Sequence, residues 1–150
     1  MSRRVRIIIL SIIGIGIVGF VIFQLIPASS ISAKFATPGN PPVTHTIPWD
    51  SPQTEQLARS ACFDCHSNET RAMWYSNIAP VSWLVNKDVN EGRQKLNFST
   101  GRHLEGDEMI EQIQKGAMPP AIYLPMHPEA NLTAAQKQQL IDGLQATFGG

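Results

Sequence analysis

No aspartate or glutamate precedes Asp50, whereas Arg3, Arg4 and Arg6 stand close to the amino terminus. The whole chain carries 12 basic and 12 acidic residues, so its formal net charge is +0. Without the three arginines, nine basic residues remain against the 12 acidic ones, and the rest of the chain is mildly acidic. Nucleic-acid binding normally requires Lys and Arg clustered on one face, so we expect no nucleic-acid partner.

The chain also lacks sustained strand alternation and internal repeats, whereas helix-start patterns recur. Ser51 followed by Pro52 is typical of an N-cap with proline at the first helical position. Thr133 with Gln136 three residues later forms a capping box. Gly116 is in a position that commonly ends a helix, here the third predicted helix, which begins near Asp107. We therefore predict an all-α domain whose helices begin near Pro52, Pro80, Asp107 and Thr133.

The segment of residues 7–26 carries no charge, and only Ser11 and Gln24 in it are appreciably polar. A helix of this length spans roughly 30 Å, the hydrocarbon thickness of a bilayer. The arginines before it keep the amino terminus cytoplasmic, which in a bacterium places the rest of the chain in the periplasm, behind a single inner-membrane span. A cleaved signal peptide is the alternative, although its apolar region usually has about 7 to 15 residues.

The segment after this apolar run, residues 28–49, is rich in Pro, Ser, Thr and Gly and has no helical or strand periodicity. This composition is typical of a partly stiff tether. We predict a membrane anchor over residues 1–27, a proline-rich linker over residues 28–49 and a folded domain over residues 50–150. The alternative for the linker is a strap packed along the domain.

Only two cysteines occur, and they stand with a histidine in the pentapeptide Cys62-Phe63-Asp64-Cys65-His66. Thiols across one helical turn can reach the two vinyl groups of one porphyrin, and the next residue presents an imidazole to the iron. The pattern therefore predicts one covalently attached haem c per chain, held by Cys62 and Cys65, with His66 as an axial iron ligand.

Three other interpretations of the two cysteines compete with haem. A thioredoxin-like redox pair would follow a strand, and no strand is predicted before Cys62. A zinc site needs two further ligands, for which His103 and His127 are available, but the usual second ligand pair is absent. A disulfide between Cys62 and Cys65 would close a very short loop and so contribute little.

The second axial position of the iron needs its own ligand. Met118 is the first candidate, because it stands in a Gly-x-Met-Pro-Pro loop between two predicted helices and Met/His ligation raises the reduction potential. His127 is the rival, nine residues later, and an open site is the third possibility. Met126, His103 and His45 are weaker candidates.

The haem propionates also need partners. Trp74 and Tyr75 carry N–H and O–H groups that usually find an acceptor when buried. Arg71 and Arg93 are the basic candidates for an ion pair with a propionate.

A longer pattern surrounds the cysteines. Residues 62–70 read CFDCHSNET and residues 74–84 read WYSNIAPVSWL, followed by distinctive segments at residues 96–99, 118–120 and 127–130. Together they resemble the family of bacterial proteins with a small c-type haem-binding domain, over roughly residues 50 to 148. The resemblance implies a cytochrome c-like helical domain, often behind a membrane segment, with haem at Cys62 and Cys65 and axial His66. The family pattern includes both a methionine like Met118 and a histidine like His127.

These observations favour a membrane-tethered periplasmic electron carrier that exchanges electrons with redox partner proteins and is not itself an enzyme. A peroxidase-like haem enzyme is the alternative and would need an open iron position with a distal acid or base, such as His127 or His103. A haem-based redox or gas sensor is the third hypothesis.

Overall fold

The computed structural model describes residues 2–149, so the two ends of the predicted anchor and domain, Met1 and Gly150, lie outside the described residues. Over this range the chain forms α-helices and short 3-10 turns, without strands beyond an isolated bridge between Asn97 and Arg102. The prediction of an all-α fold with one N-terminal apolar helix is confirmed. The helices are α1 (Arg3–Gln24), α2 (Ala28–Ile31), α3 (Pro52–Ala61), α4 (Phe63–His66), α5 (Val81–Lys95), α6 (Gly106–Gln114) and α7 (Ala134–Phe148).

One compact unit comprises residues 1–37 and 73–87. Its helix α1 has 22 residues, contains an 18-residue stretch with a mean hydropathy of 2.7 and has no buried residue, and by length and composition it is able to cross a membrane. At its end the Gln24 side chain bonds both backbone groups of Ala79, donating to the carbonyl at 3.0 Å and accepting from the N–H at 2.8 Å. Phe23 packs against Trp83 with ring centroids 5.0 Å apart.

The second compact unit comprises residues 38–72 and 88–150. It has its own apolar core, drawn from α3, α4, α6, α7 and the connecting segments. Ile47 is buried in this core, and Trp49 packs its ring against Phe98 at 5.7 Å. Part of the segment predicted as a linker therefore packs on this unit. The buried apolar residues of the core are Ile47, Leu57, Ala58, Phe63, Phe98, Met109, Ile110, Ile113, Leu132, Leu140 and Leu144.

Two helix starts in this unit follow the sequence signals. The Ser51 side chain accepts from the Thr54 N–H at 3.2 Å, with Pro52 at the first helical position. Thr133 accepts from the Gln136 N–H at 3.2 Å, and the Gln136 side chain accepts in return from the Thr133 N–H at 2.9 Å. Both caps satisfy N–H groups that a helix leaves without intrahelical partners.

The predicted cap at Asp107 is wrong by two residues. Helix α6 begins at Gly106 with Glu105 in the capping position, and Asp107 lies in its first turn. Gly106 is buried, and a Cβ atom there would lie 3.0 Å from the Cβ of Phe148 on α7. The start of α6 therefore packs closely on α7, through a contact between residues 42 positions apart that the local pattern does not contain.

Candidate functional site

The Cys-x-x-Cys-His segment occupies the junction of α3 and α4. Cys62 ends α3 and precedes α4 with φ −124° and ψ −36°, which interrupts the regular helix. Its N–H still donates to the Ala58 carbonyl at 2.8 Å, and its own carbonyl accepts from the His66 N–H at 2.9 Å. The two thiols and the imidazole are therefore held within one short helical turn.

The His66 imidazole is oriented by two backbone carbonyls near the end of α5. Its Nδ1 lies 3.0 Å from the Gly92 oxygen and 3.2 Å from the Leu96 oxygen. Since carbonyl oxygens only accept, Nδ1 carries the proton and donates, which leaves the Nε2 lone pair available to a metal. Burial lowers the pKa of His66 and outweighs these two hydrogen bonds, so the ring is neutral, as metal ligation requires.

Gly92 allows α5 to approach the cysteine segment closely. A Cβ atom at this position would lie 2.5 Å from the Cys65 carbonyl oxygen and 3.3 Å from the Cys65 Cβ. A side chain here would collide with backbone, which cannot rotate away. The sequence does not reveal this role of Gly92, because nothing local marks a contact between residues 27 positions apart.

A cavity of about 360 Å³ opens beside this turn. Its lining includes Cys62, His66 and Met118, with walls from the core residues Phe98 and Met109. An adjoining cavity of about 270 Å³ is lined by Cys65 and again by Cys62, His66 and Met118. The structure thus brings together all four predicted site residues around one pair of adjoining cavities.

The donor set of these cavities fits a haem. Two thiols three residues apart, an oriented neutral imidazole and a thioether line cavities whose walls are otherwise largely apolar, as a porphyrin requires. Cys62, Cys65, His66 and Met118 are the residues that would hold the group.

The two thiols do not fit a reactive redox pair. Burial raises the pKa of Cys62 to about 12, and burial together with the carboxylates of Asp88 and Asp64 raises the pKa of Cys65 to about 12. Thiol–disulfide catalysis uses the thiolate and therefore a lowered pKa. The zinc alternative lacks donors as well, because residues 2–149 contain no group of three or more His, Cys, Asp or Glu side chains able to hold a metal ion.

His127, the rival axial ligand, lies in a different arrangement. Its ring stacks on Tyr123, with centroids 3.7 Å apart and an interplanar angle of 9°, and only 3% of its side chain is exposed. Its Nδ1 lies 3.4 Å from Glu129 and 3.9 Å from Asp64. Neither cavity beside His66 has His127 in its lining. Its surroundings are those of a packed structural histidine.

Asp64, inside the Cys-x-x-Cys-His segment, is the centre of a polar cluster. Its carboxylate accepts from Arg71 Nη2 at 2.8 Å and from the Tyr123 hydroxyl at 2.7 Å. Burial opposes ionisation of Asp64, but the hydrogen bonds from Arg71 and Tyr123 outweigh it and hold its pKa below the ordinary value. The cluster ties the turn that bears the cysteines to the loop around Tyr123.

Replacing Asp64 by asparagine should lower the free energy of unfolding by about 1–3 kcal/mol, because the Arg71 guanidinium loses its carboxylate and a buried amide faces the Tyr123 hydroxyl. Denaturant unfolding followed by circular dichroism measures this loss. Asp142→Asn on α7 is the matched control, since its exposed carboxylate bonds only Gln138 among the described contacts. Equal midpoints for the two variants would contradict the structural role of Asp64.

A second polar network fixes the chain on either side of His66. The His66 carbonyl accepts from the Phe98 N–H at 2.9 Å. Asn97 Nδ2 donates to Asn68 Oδ1 at 3.0 Å, and the Ser99 hydroxyl accepts from the Asn68 N–H at 2.9 Å. All three of these polar side chains are buried. Residues 96–99 therefore hold the backbone of His66 in place.

The predicted basic partners of the propionates are engaged by protein groups. Arg71 pairs with Asp64 at 2.8 Å and with Glu129 at 3.0 Å. Arg93 donates to the Ser67 carbonyl at 2.7 Å and to the Gly39 carbonyl at 2.9 Å. Trp74 and Tyr75 belong to the other compact unit. In this structure long-range acceptors from the protein use the donors of both arginines, and their pairing with a propionate stays a prediction.

A family model described as a haem-binding domain matches residues 18–146, which is more than half of the chain. The matched range contains the two cysteines, His66 and Met118. No curated protein matches the chain, and no solved structure matches it.

Proposed function

The chain belongs to the family of haem-binding domains, and from this premise we propose that it is a membrane-tethered electron carrier with one haem c joined covalently to Cys62 and Cys65. His66 and Met118 are the axial ligands in this proposal. When bound, the haem supplies a one-electron iron couple. The protein supplies the ligands, the apolar walls and the exclusion of water.

The observation that carries the proposal is the state of the His66 ring. Its Nδ1–H is committed to the carbonyls of Gly92 and Leu96, so Nε2 is the free nitrogen. The same side chain lines both cavities together with Cys62. In metal sites, a ligating histidine usually donates a hydrogen bond from its other ring nitrogen, because this bond fixes the tautomer and the ring orientation.

Met118 is favoured as the second ligand by its position. It lines the same two cavities as His66, whereas His127 is stacked on Tyr123. Methionine–histidine ligation raises the reduction potential, which suits a carrier.

Helix α1 supports the membrane part of the proposal. It contains a long apolar stretch and has no buried residue, and Arg3, Arg4 and Arg6 lie at its amino-terminal end. The positive-inside rule then places the haem domain in the periplasm of a bacterium, at the inner membrane. The expected partners are redox proteins that meet the domain on that side.

One observation favours the haem enzyme as a second candidate. His103 lines the larger cavity, and its Nδ1 lies 3.7 Å from Glu105. A histidine paired with a carboxylate beside an open iron position could move the protons that peroxide cleavage requires. This candidate requires five-coordinate iron, so it differs from the carrier in a measurable way.

The test is to purify the full chain in detergent from a host with c-type haem maturation and to record spectra of the oxidised, reduced and carbon monoxide-treated protein. The carrier predicts one haem c per chain, low-spin iron in both states and no response to carbon monoxide. High-spin iron that binds carbon monoxide would contradict the carrier and favour the enzyme with His103.

Met118→Ala should abolish the absorption band of methionine bound to ferric iron and open the iron to carbon monoxide. The reduction potential should fall, within the range of roughly 0.8 V that axial ligands control. Met126→Ala is the matched control, because Met126 is similarly exposed, 45% against 39%, but lines neither cavity. A Met118→Ala spectrum identical to that of Met126→Ala would exclude Met118 as the ligand.

A further inference from the structure

The unit that contains the cavities is acidic. All 12 acidic residues of the chain lie in residues 38–72 and 88–150, against seven basic ones. The lining itself carries carboxylates, with Glu105 and Glu108 at the larger cavity and Asp88 and Glu91 at the smaller. A haem carries two propionates, and anions placed beside carboxylates on apolar walls are costly unless a cation or a donor meets them.

Most basic side chains of this unit are engaged elsewhere. Arg59 pairs with Glu55 at 2.8 Å, and Lys115 pairs with Glu111 at 2.5 Å. Arg102 donates to the Gln94 carbonyl at 3.1 Å. Arg71 and Arg93 are held by the contacts described above. Two lysines remain, Lys95 and Lys137, and within residues 2–149 neither forms an ion pair or a hydrogen bond through its ammonium group.

These two lysines differ in position. Lys95 lines both cavities, whereas Lys137 lines neither. Lys95 is the last residue of α5 and is exposed. It stands between Gly92 and Leu96, whose carbonyls hold the His66 ring. The backbone that orients the His66 ring therefore also carries Lys95, which lines both cavities.

We propose that the Lys95 ammonium binds a haem propionate and is the cation that offsets the propionate charge in this acidic unit. The proposal rests on haem occupying the two cavities, as proposed above. A compact ammonium on a flexible stem reaches a carboxylate as a point charge, without the planar geometry that arginine requires. Lys95 lines the same two cavities as His66, so its charge would act on the potential of a haem held there, because a positive charge disfavours the ferric state.

The experiment uses the full-length holo-protein in detergent and the variants Lys95→Gln, Lys95→Arg and Lys137→Gln. Two quantities are measured: the reduction potential by potentiometric titration and the propionate bending mode by resonance Raman spectroscopy. We expect Lys95→Gln to lower the potential and shift the propionate mode at unchanged haem content. Lys95→Arg should retain both properties close to the original, and Lys137→Gln should change neither.

Two results would overturn the assignment while leaving the carrier intact. One is a Lys95→Gln protein whose potential and propionate mode match those of Lys137→Gln. The other is a lowered potential with an unchanged propionate mode, which would mean that Lys95 acts only on the end of α5. A chain that matures without any haem would instead overturn the proposed function and this assignment together, so the two failures are distinguishable.

Discussion

Replacing both Cys62 and Cys65 by alanine should remove all covalently attached haem. Each thioether needs a cysteine sulfur, and the chain contains no other cysteine that could substitute. The two positions flank one short turn beside the same pair of cavities. Haem staining after denaturing electrophoresis measures the loss, and the expected signal is at background.

The single variants refine this prediction. Cys62→Ala and Cys65→Ala each leave one thioether, so each should keep a haem stain but shift the pyridine haemochrome band, which reports the number of remaining vinyl groups. Ser60→Ala is the matched control, since Ser60 lies next to the segment on α3 and its hydroxyl bonds only the Gln56 carbonyl among the described contacts. Haem that survives denaturation in the double variant would exclude covalent attachment through these cysteines.

Gly92→Ala should lower the free energy of unfolding by about 1–3 kcal/mol and reduce the yield of holo-protein sharply. The added methyl group would lie 2.5 Å from the Cys65 carbonyl oxygen, so α5 or the cysteine turn must move. Either movement disturbs the hydrogen bond that the His66 Nδ1–H donates to the Gly92 carbonyl, whose nitrogen–oxygen distance is 3.0 Å. The variant therefore disturbs both the packing of α5 on the cysteine turn and the orientation of the His66 imidazole.

The measurements are the denaturant midpoint of the full chain in detergent and the haem content per chain. Gly16→Ala in α1 is the control, because a Cβ atom there meets nothing within 4 Å. An alanine at position 92 that leaves both the midpoint and the haem content unchanged would show that α5 does not need glycine to reach His66.

Local sequence patterns determined the secondary structure well where the interaction itself is local. Ser51 with Pro52 and Thr133 with Gln136 mark the starts of α3 and α7, because a cap involves groups only three residues apart. Likewise the run without charge from residue 7 to residue 26 is enough to predict an apolar helix. The length and composition of such a run can be read from the sequence without knowing any tertiary contact.

The boundary of α6 could not be predicted in this way. Its start at Gly106 depends on Phe148, which packs against it from the far end of α7. The partners of Arg71 and Arg93 are equally non-local, since Glu129 lies 58 residues from Arg71 and Gly39 lies 54 residues from Arg93. In the folded chain both arginines already donate hydrogen bonds to protein acceptors, which the sequence does not reveal.

The sequence by itself determined the all-helical fold, the apolar N-terminal helix and the chemistry available at Cys62, Cys65 and His66, because composition, periodicity and a five-residue motif are local properties. Only the tertiary structure decided which nitrogen of His66 is free, that Met118 and not His127 lines the cavities beside it, and why position 92 is glycine. These features depend on contacts between segments 26 or more residues apart, and such contacts are made by packing of the whole unit rather than by any local pattern.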